Sequence, residues 1–548
     1  MRLILMFTIL GSALLSSAAW ALPDLSDKFI PSAVVKYCAT TGSLPDSVTA
    51  KFDLLITNNG HNAVWAKAGR NSWQNLKTYN PDMTIVMYMM GPGEYNTASW
   101  GQMGQGWDWM KTNHGATAGA ARWTGSGLKY DYLSNSNYPN ERIMNLGHPD
   151  WQNYWYQTVY SDWWGGVDSL KYRGADGIFS DNTQYQVIWK GQWYDENHVG
   201  DAAYQDQPAD YYSGGAYNDA KWRNDINAFF NRAVPGLAAE PQKVILVPNF
   251  GYMGSNPEYW AQLDTLAHPP FAAMQEGGFA CPWSKAYSVW GWDNLVNGMK
   301  ALKHTAVIMA QIGEVSHPTG LAAMDTALSE GNLGPNTTGW DALWFSIGSF
   351  LLALNPQKTN GYLSFSPTNY CENIWLDELD PKYLHLGAPL GDYYVQNGVA
   401  FREYEDGWAV VNKTYQQNKT GIPVPSGRAR VITHANFKNT DAAALATSFN
   451  LNYYRGVVLL KEGRKIGNED NPTAGLPPIG NPAGAALRGV CTLRIYDMLG
   501  RCLKTVKGEP QALRNSISAF EQGLPNGIYI WRTEGGEKPV TVKRLVIR

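Results

Sequence analysis

The sequence predicts an α/β protein whose main domain is a (β/α)8 TIM barrel, followed by a C-terminal β-sandwich domain and a further small β-sandwich tail. Short apolar runs recur through residues 22–385, helix-length segments separate several of them, and most end in polar residues. Alternation of strand and helix is typical of a parallel sheet covered by helices. The strand candidates are residues 33–38, 52–57, 83–90, 174–182, 244–248, 271–275 and 305–311, with a last strand near the end of residues 342–354 or just after them.

The fourth strand candidate, residues 174–182, is the central motif of the chain. It is a run of apolar and small residues that ends abruptly in Asp181 and Asn182. Such a run suits a buried strand of a parallel sheet. The C-terminal ends of barrel strands open into the active-site mouth, so Asp181 and Asn182 are expected there. Asp176 opens the strand at the opposite face, where a carboxylate more often serves stability.

Composition narrows the class of ligand. The chain has 548 residues, a net charge of −3 and 17% charged residues, so it has no basic field for nucleic acid. Aromatic residues make up 13% of the chain, with 23 Trp and 31 Tyr. Sugar rings stack their C–H faces on aromatic rings, so this composition favours a carbohydrate ligand.

The first 21 residues have the pattern of a signal peptide. Arg2 supplies the positive charge, residues 3–15 the apolar stretch, and residues 19–21 the small-x-small cleavage site. A membrane anchor is the alternative, but the apolar stretch is short and no second stretch reaches transmembrane length. We therefore expect a mature protein without a membrane span, secreted or at the cell surface.

Cysteine and histidine give no sign of a metal site. The five Cys are an odd number, and no CxxC motif or Cys/His cluster is typical of zinc. Cys491 and Cys502 lie eleven residues apart and are close enough in sequence to pair in an oxidising compartment. We predict no metal and no cofactor.

Four further segments interrupt or follow the barrel pattern. Residues 91–147, rich in Gly, Asn, Ser, Trp and Tyr, either shape the substrate cleft or decorate the surface. Residues 386–462 have short strands with polar turns, and residues 405–407 give a hairpin signal between two of them, so they are predicted as a β-sandwich. Residues 463–486 are a Pro/Gly linker, and residues 487–548 form a last β-rich domain.

Residues of about 30–460 resemble hypothetical glycosyl hydrolase family 15. The resemblance is carried by residues 52–56, 80–81, 174–182, 401–408 and 410–412, in the right order. It implies a barrel glycoside hydrolase, related to α-galactosidase-like and dextranase-like enzymes. Barrel enzymes of those clans carry an aspartate nucleophile after strand four and an acid/base after strand six.

The tail resembles the C-terminal sorting domain of the type IX secretion system. The similar segments are residues 495–501, 524–529 and 543–547. The resemblance implies export through the outer membrane with the secretion machinery as a partner. An ordinary β-sandwich accessory module is the alternative.

Glycoside hydrolysis needs one ionised and one protonated carboxyl group. The fourth strand candidate ends at Asp181 and the sixth at Glu276, which makes these two the catalytic candidates. The alternatives are a helix N-cap for Asp181 and a polar turn for Glu276. Glu314, after the seventh strand, is the rival acid and otherwise a substrate-binding residue. Further substrate-binding candidates at strand ends are Asn58, Tyr88, Asn182 and Asn249, each of which either bonds a sugar hydroxyl or satisfies loop backbone.

The sequence thus predicts a secreted glycoside hydrolase that cleaves a poly- or oligosaccharide by a retaining two-carboxylate mechanism. The alternative is a non-catalytic carbohydrate-binding protein on a barrel scaffold. The presence of both carboxylates favours the enzyme.

Overall fold

The structure is a computed structural model. It describes residues 29–36, 46–57, 73–91, 93–95, 121–124, 127–139, 141–157, 174–195, 197–239, 244–279, 291–312, 320–325, 338–355, 361–366, 374–414, 416–464, 491–497, 502–508, 527–534 and 540–546. The chain divides into two compact units, Met1–Ile466 and Gly467–Arg548.

Eight parallel strands form the centre of the first unit. They are β1 (Ala33–Lys36), β2 (Leu54–Thr57), β3 (Thr84–Met90), β4 (Gly177–Asp181), β5 (Ile245–Pro248), β6 (Ala272–Glu276), β7 (Ala306–Ile312) and β8 (Gly361–Ser366). Strands β1 to β5 form one sheet in chain order, and β6 to β8 form a second. Isolated parallel bridges join the sheets at both edges, Asn249 with Met274 after β5 and Ser32 with Leu363 before β1. The predicted α/β class with parallel strands is confirmed.

Seven α-helices are described between and after these strands. They are α1 (Asp46–Thr49), α2 (Gln74–Tyr79), α3 (Pro149–Gln157), α4 (Asp219–Ala239), α5 (Pro257–Asp264), α6 (Trp292–Ala301) and α7 (Gly339–Ala353). Short 3-10 turns lie at Ala202–Tyr204, Ala209–Tyr211, Gly320–Asp325, Asp377–Leu379 and Thr440–Ala442. In the described part of the chain, no helix combines the length and the apolar character needed to cross a membrane.

Alternate residues of the strands face two different cores. One core takes inward residues from all eight strands, and the other takes outward residues such as Leu55, Ile178 and Val307 together with the helices. Period-two alternation puts neighbouring side chains on opposite faces, so residues that follow an inward residue by two are also inward. The inward set is Ala33, Val35, Leu54, Ile56, Val86, Phe179, Ile245, Val247, Phe271, Ala272, Met274, Ala306, Ile308, Ala310 and Tyr362.

Strand β8 lies just after the apolar run 342–354, and the run itself is helix α7. Every residue from Ala342 to Ala353 is buried, as expected of a helix that is apolar on all sides. A capping box starts the helix: Thr338 Oγ1 accepts from the Asp341 N–H at 3.3 Å, and the Asp341 carboxylate accepts from the Thr338 N–H at 2.9 Å. A run long enough for four turns, with a cap at its start, therefore prefers helix to strand.

Asp176 lies at the lower end of the sheet, as predicted. Its carboxylate accepts from the Ile85 N–H at 2.8 Å and pairs with Lys77 at 2.7 Å. Both side chains are partly exposed, at 39% and 24%, so the ion pair contributes less than about 1 kcal/mol. The role of Asp176 is to hold the start of β4 beside β3.

The loops after β3 and β4 form one small antiparallel sheet. Strands Gly93–Tyr95, Glu141–Ile143, Gly127–Asn135 and Ala121–Thr124 follow one another in it, and Trp193–Asp195 from the loop after β4 pairs with Gly127–Asn135. A short hairpin, Tyr212–Ser213 with Ala216–Tyr217, precedes α4. Two insertions at the same end of the parallel strands are thus joined to each other.

The predicted β-sandwich follows β8. A six-stranded sheet, in the order Tyr394–Gln396, Val399–Glu403, Gly407–Asn412, Arg455–Lys461, Ala429–Ile432 and Leu445–Ala446, faces a two-stranded sheet of Lys419–Pro423 and Ser448–Leu451. Their inner side chains share a core that includes Phe401, Trp408 and Phe449. The hairpin expected around residues 405–407 is present, with Glu403 opposite Trp408.

Helix α7 packs against this sheet as well as against α6 and β8. The last carbonyl groups of a helix have no hydrogen-bond donor within that helix. At the C-terminal end of α7, side chains from the sandwich supply the donors. The Arg402 guanidinium donates to the carbonyl of Leu351 at 2.9 Å, and the Tyr404 hydroxyl donates to the same oxygen at 2.6 Å.

The second unit contributes a four-stranded antiparallel sheet, in the order Cys502–Gly508, Cys491–Asp497, Gly527–Glu534 and Val540–Val546. The described strands form one layer, where we predicted the two layers of a sandwich. Cys491 lies opposite Gly508, and Cys502 lies opposite Tyr496. Tyr496 and Cys491 are five residues apart on one strand, which places the backbones of Cys491 and Cys502 about 17 Å apart along the sheet.

We predict that Gly456→Ala destabilises the first unit by about 1–3 kcal/mol, because a methyl group there would lie 2.2 Å from the Trp344 carbonyl oxygen of α7. Urea denaturation followed by Trp fluorescence measures the change. Gly391→Ala is the matched control, since a methyl group at that position meets nothing within 4 Å. Equal effects of the two substitutions would contradict the close packing of α7 on the sheet.

Candidate active site

Polar side chains follow the inward residues of several strands at their C-terminal ends. Asp181 follows Phe179 by two positions, and Glu276 follows Met274 by two. By the same spacing Tyr88 follows Val86. The alternation of the strands therefore directs these side chains to one place, above the apolar core.

The side-chain amide of Asn249 joins the two catalytic candidates. Its Nδ2 donates to Asp181 Oδ1 at 2.8 Å and to Glu276 Oε2 at 2.9 Å. Because one nitrogen contacts both oxygens, these two oxygens lie at most about 5.7 Å apart. The two N–H bonds of an amide diverge by about 120°, which sets the separation near 5 Å. The two carboxyl groups thus face one small space.

The backbone of Asn249 is held between strands β4 and β6. Its N–H donates to the Ser180 carbonyl at 2.8 Å, and its carbonyl accepts from the Thr183 N–H at 3.1 Å. On the other side it forms the parallel bridge to Met274. The amide therefore projects from a fixed position between the two strands that carry Asp181 and Glu276.

Three donors converge on Asp181. Besides Asn249, the Tyr88 hydroxyl donates to Oδ2 at 2.6 Å and the Asn182 N–H donates to Oδ1 at 2.9 Å. Burial raises the pKa of Asp181, and the bonds from Tyr88, Asn249 and Asn182 act in the opposite direction by stabilising the carboxylate. Asn182 has a φ of +54°, a left-handed conformation that Asn tolerates better than most residues. The chain thus turns sharply at the end of β4 and returns its N–H to Asp181.

Gly91 permits the close approach of β3 to this turn. Its N–H donates to the Asp181 carbonyl at 3.0 Å. A methyl group on Gly91 would lie 2.0 Å from Thr183 Oγ1 and 2.8 Å from the Asp181 carbonyl oxygen. Only glycine fits at this position without displacing the end of β4.

The structure adds Glu141, which the sequence analysis missed. It begins the short strand Glu141–Ile143 in the insertion after β3 and is 1% exposed. Its Oε1 accepts from Asn182 Nδ2 at 3.3 Å. Burial, and then the negative charge of Asp181, raise the pKa of Glu141 to about 8. In the sequence, Glu141 is an acidic residue within the aromatic-rich insertion. It is far from any predicted strand end, so the sequence alone does not predict its contact with Asn182.

Tyr138 lies in the same turn of the insertion. Its ring is 49% exposed and lies 5.6 Å from the ring of Trp189, measured between centroids. Burial and the charges of Glu276, Asp181 and Glu141, in that order, raise the pKa of the Tyr138 phenol. The insertion therefore brings an aromatic side chain over the three carboxyl groups.

The structure brings together five of the seven site residues predicted from the sequence: Tyr88, Asp181, Asn182, Asn249 and Glu276. The other two, Asn58 and Glu314, lie outside the described residues. Among the residues that are described, no group of three or more His, Cys, Asp or Glu side chains is arranged to hold a metal ion.

Comparison with known proteins gives the family. The sequence profile of hypothetical glycosyl hydrolase family 15 matches residues 77–408, more than half of the chain, and this range includes Tyr88, Glu141, Asp181, Asn249 and Glu276. The chain belongs to this family. The family and the paired carboxyl groups define a glycoside hydrolase. No curated protein matches the chain in sequence.

Solved structures show more distant likenesses. The type III pullulan hydrolase from Thermococcus kodakarensis is 12% identical, with 75% of this chain and 69% of that one covered and a TM-score of 0.37. The isomaltulose synthase SmuA from Protaminobacter rubrum is 10% identical, with 81% and 100% covered and a TM-score of 0.41. The cyclic α-maltosyl-(1→6)-maltose hydrolase from Arthrobacter globiformis is 8% identical, with 80% and 100% covered and a TM-score of 0.39. Likenesses of this size say nothing about the substrate of this chain.

We predict that Glu141→Gln stabilises the protein at neutral pH but not at pH 4. The unfolded chain ionises Glu141 above about pH 4.5, whereas the folded chain keeps the proton until about pH 8. Stability is therefore lost as the pH rises between these values, by about 3 kcal/mol at pH 7. Glutamine keeps the shape of the side chain and does not ionise, so it avoids the loss.

Urea denaturation at pH 4 and pH 7 measures this difference. The exposed Glu258→Gln is the control and should change stability little at either pH. A Glu141→Gln variant with the same stability relative to the wild type at both pH values would show that Glu141 ionises normally.

Proposed function

We propose that this glycoside hydrolase cleaves a poly- or oligosaccharide with retention of anomeric configuration, with Asp181 as nucleophile and Glu276 as acid/base. The single observation that carries the proposal is the contact of one Asn249 nitrogen with both carboxyl groups. Retaining enzymes have carboxyl groups about 5–5.5 Å apart, whereas inverting enzymes need about 6.5–9.5 Å to admit a water molecule. An upper limit of about 5.7 Å between the bridged oxygens favours retention.

The eight parallel strands support a closed (β/α)8 barrel as the scaffold. The parallel bridges of Asn249 with Met274 and of Ser32 with Leu363 link the two sheets at both edges. Inward side chains from all eight strands share one core. In such a barrel Asp181 ends strand four and Glu276 ends strand six, both at the C-terminal face where barrel enzymes have their sites.

In the first step, Asp181 attacks the anomeric carbon while Glu276 donates its proton to the departing glycosidic oxygen. A glycosyl ester forms on Asp181, and the leaving sugar departs as an alcohol. Glu276 is now a carboxylate, and it takes a proton from the water that attacks the anomeric carbon, while the bond from that carbon to the Asp181 oxygen breaks and Asp181 leaves as a carboxylate. Free sugar leaves with its original configuration, and both carboxyl groups return to their starting states.

The donors around Asp181 have a defined part in this cycle. The bonds from Tyr88 and the Asn182 N–H stabilise the ionised form of Asp181 before attack and so oppose the effect of burial on its pKa. They also fix the carboxylate so that one oxygen faces the sugar, which reduces the reorganisation needed in the transition state. Asn249 keeps Glu276 at the same distance from Asp181 in both steps.

Substitution of the two carboxyl groups tests the roles. Asp181→Asn should lower kcat by several orders of magnitude on every substrate, because no nucleophile remains. Glu276→Gln should cost about 100- to 10,000-fold on substrates with poor leaving groups and much less on 4-nitrophenyl glycosides, which need no proton. Azide should partly restore the rate of Glu276→Ala. A panel of α- and β-linked 4-nitrophenyl glycosides and oligosaccharides supplies the substrate.

Asp176→Asn is the matched control, with the same substitution at the opposite end of β4. It should leave kcat nearly unchanged. Proton NMR of the first-formed product then decides the mechanism: an inverted anomer would remove Asp181 from the nucleophile role. Tight binding of glycans by the wild type without turnover would instead support a carbohydrate-binding protein.

The location of the enzyme is a further part of the proposal. Residues 1–21 direct export, the barrel comprises residues 22–385, and the sandwich residues 386–462. After a linker at 463–486, the tail at 487–548 contacts the secretion machinery. The pattern of the first 21 residues, the resemblance of the tail to a sorting domain and the separate compact unit of residues 467–548 support this arrangement.

We predict that a chain ending at residue 486 keeps the glycosidase activity and the melting temperature of the first unit but is no longer exported in its native host. The physical reason is that the tail forms its own compact unit. Differential scanning calorimetry and fractionation of the culture measure the two effects. Normal export of the truncated chain would show that the tail is an accessory module.

A further inference from the structure

Glu141 is a buried carboxyl group that the two-carboxylate mechanism does not use. Its N–H donates to the Tyr138 carbonyl at 2.8 Å, which closes a tight turn, and its strand pairs with Gly93–Tyr95. The same turn is tied to the loop after β4, where the Ser136 N–H donates to the Gln192 carbonyl at 2.9 Å. The carboxyl group is therefore held over the end of β4 by two insertions.

Asn182 connects this carboxyl group to the nucleophile. Its backbone N–H donates to Asp181 Oδ1 at 2.9 Å, and its side-chain Nδ2 donates to Glu141 Oε1 at 3.3 Å. With a φ of +54°, Asn182 keeps this conformation only while its surroundings hold it. A displacement of the Asn182 side chain would thus also move the N–H that Asp181 accepts.

Nothing in the described part of the chain neutralises a charge on Glu141. The Arg142 guanidinium, its neighbour in sequence, donates to the carbonyls of Pro139 and Glu141, and no ion pair between described residues reaches the Glu141 carboxylate. A carboxylate that is 1% exposed, without a cation and beside another carboxylate, is strongly disfavoured. The raised pKa of Glu141, about 8, agrees with this geometry.

We propose that Glu141 is a positioning residue, which as a neutral carboxylic acid holds the side chain of Asn182 and leaves Asp181 as the one charged group at the end of β4. The inference rests on the proposed function, because it concerns the nucleophile of that reaction. By this proposal, the insertion after β3 helps to set the position and the charge of the nucleophile Asp181.

The consequence is a loss of activity when Glu141 ionises. A second carboxylate would then face Asp181 across Asn182, and repulsion would move Asp181 or Asn182 from its position. Among the described residues, the other groups that face Glu141 are the indole of Trp189, which does not ionise, and Tyr138 of its own turn. The Tyr138 phenol has its pKa raised above the ordinary 10, so it stays protonated through pH 9.

The first test follows the Glu141 carboxyl group directly and needs no substrate. Carbon NMR of the full chain with 13C at the glutamate carboxyl carbons, assigned by the signal that Glu141→Gln removes, gives its titration. We expect a midpoint near pH 8 in the wild type, and a lower midpoint in Asp181→Asn, because the neighbouring charge is gone. A midpoint near the ordinary 4.5 would overturn the proposal.

The second test uses a 4-nitrophenyl glycoside that the wild type hydrolyses, at pH 5 to 9. Glu141→Ala should lower kcat about 100-fold with little change in KM, since a misplaced nucleophile costs rate more than binding. Glu141→Gln, which is neutral and keeps an acceptor oxygen, should recover most of this loss. It should also lack the fall in kcat near pH 8 that the wild type shows.

Two kinetic outcomes would overturn the proposal. A Glu141→Gln variant as inactive as Asp181→Asn would make Glu141 a catalytic residue, and one that keeps the fall near pH 8 would assign that fall to another group. Absence of turnover with every glycoside would reject the proposed function alone, since the carbon titration still decides the state of Glu141.

Discussion

The arrangement of the site depends on one amide group. Asn249 offers two N–H donors from a single uncharged nitrogen, and each reaches a different carboxyl group. A lysine at this position would favour ionisation of both carboxyl groups through its charge. An amide fixes their separation without deciding their protonation, so one can stay acidic while the other is ionised. The bridge to Met274 and the bond to Ser180 keep that amide between the strands that carry its partners.

The insertions complete a site that the parallel strands only begin. They bring Glu141 and Tyr138 over the strand ends, and they bury a carboxyl group that no cation among the described residues compensates. Such a burial lowers the stability of the folded chain at neutral pH. Proteins keep groups of this kind mainly where they affect chemistry, which is why perturbed carboxyl groups cluster at active sites.

Much of this arrangement was open to prediction from the sequence, because strand ends are local features. Asp181, Glu276 and Asn249 each lie at or just after the end of a short, mostly apolar run, and period two fixes their direction. The contact between Glu141 and Asn182 spans 41 residues and depends on how an irregular insertion folds back, which no local pattern encodes. The apolar run at 342–354 left open whether the last strand lies within it or after it. A helix that is buried on all sides and a buried strand have the same apolar composition, so the sequence could not distinguish them.

The capping of α7 by Arg402 and Tyr404 has a consequence for biosynthesis. The carbonyls at the end of this helix find their donors only about 50 residues further along the chain, and Gly456, on which the helix rests, comes about 100 residues later. While the ribosome is still making the sandwich, helix α7 has an apolar face in water and an incomplete C-terminal end. Helix α7 and the β-sandwich must therefore fold together. A recombinant protein that keeps a working enzyme is expected to take both from the same parent.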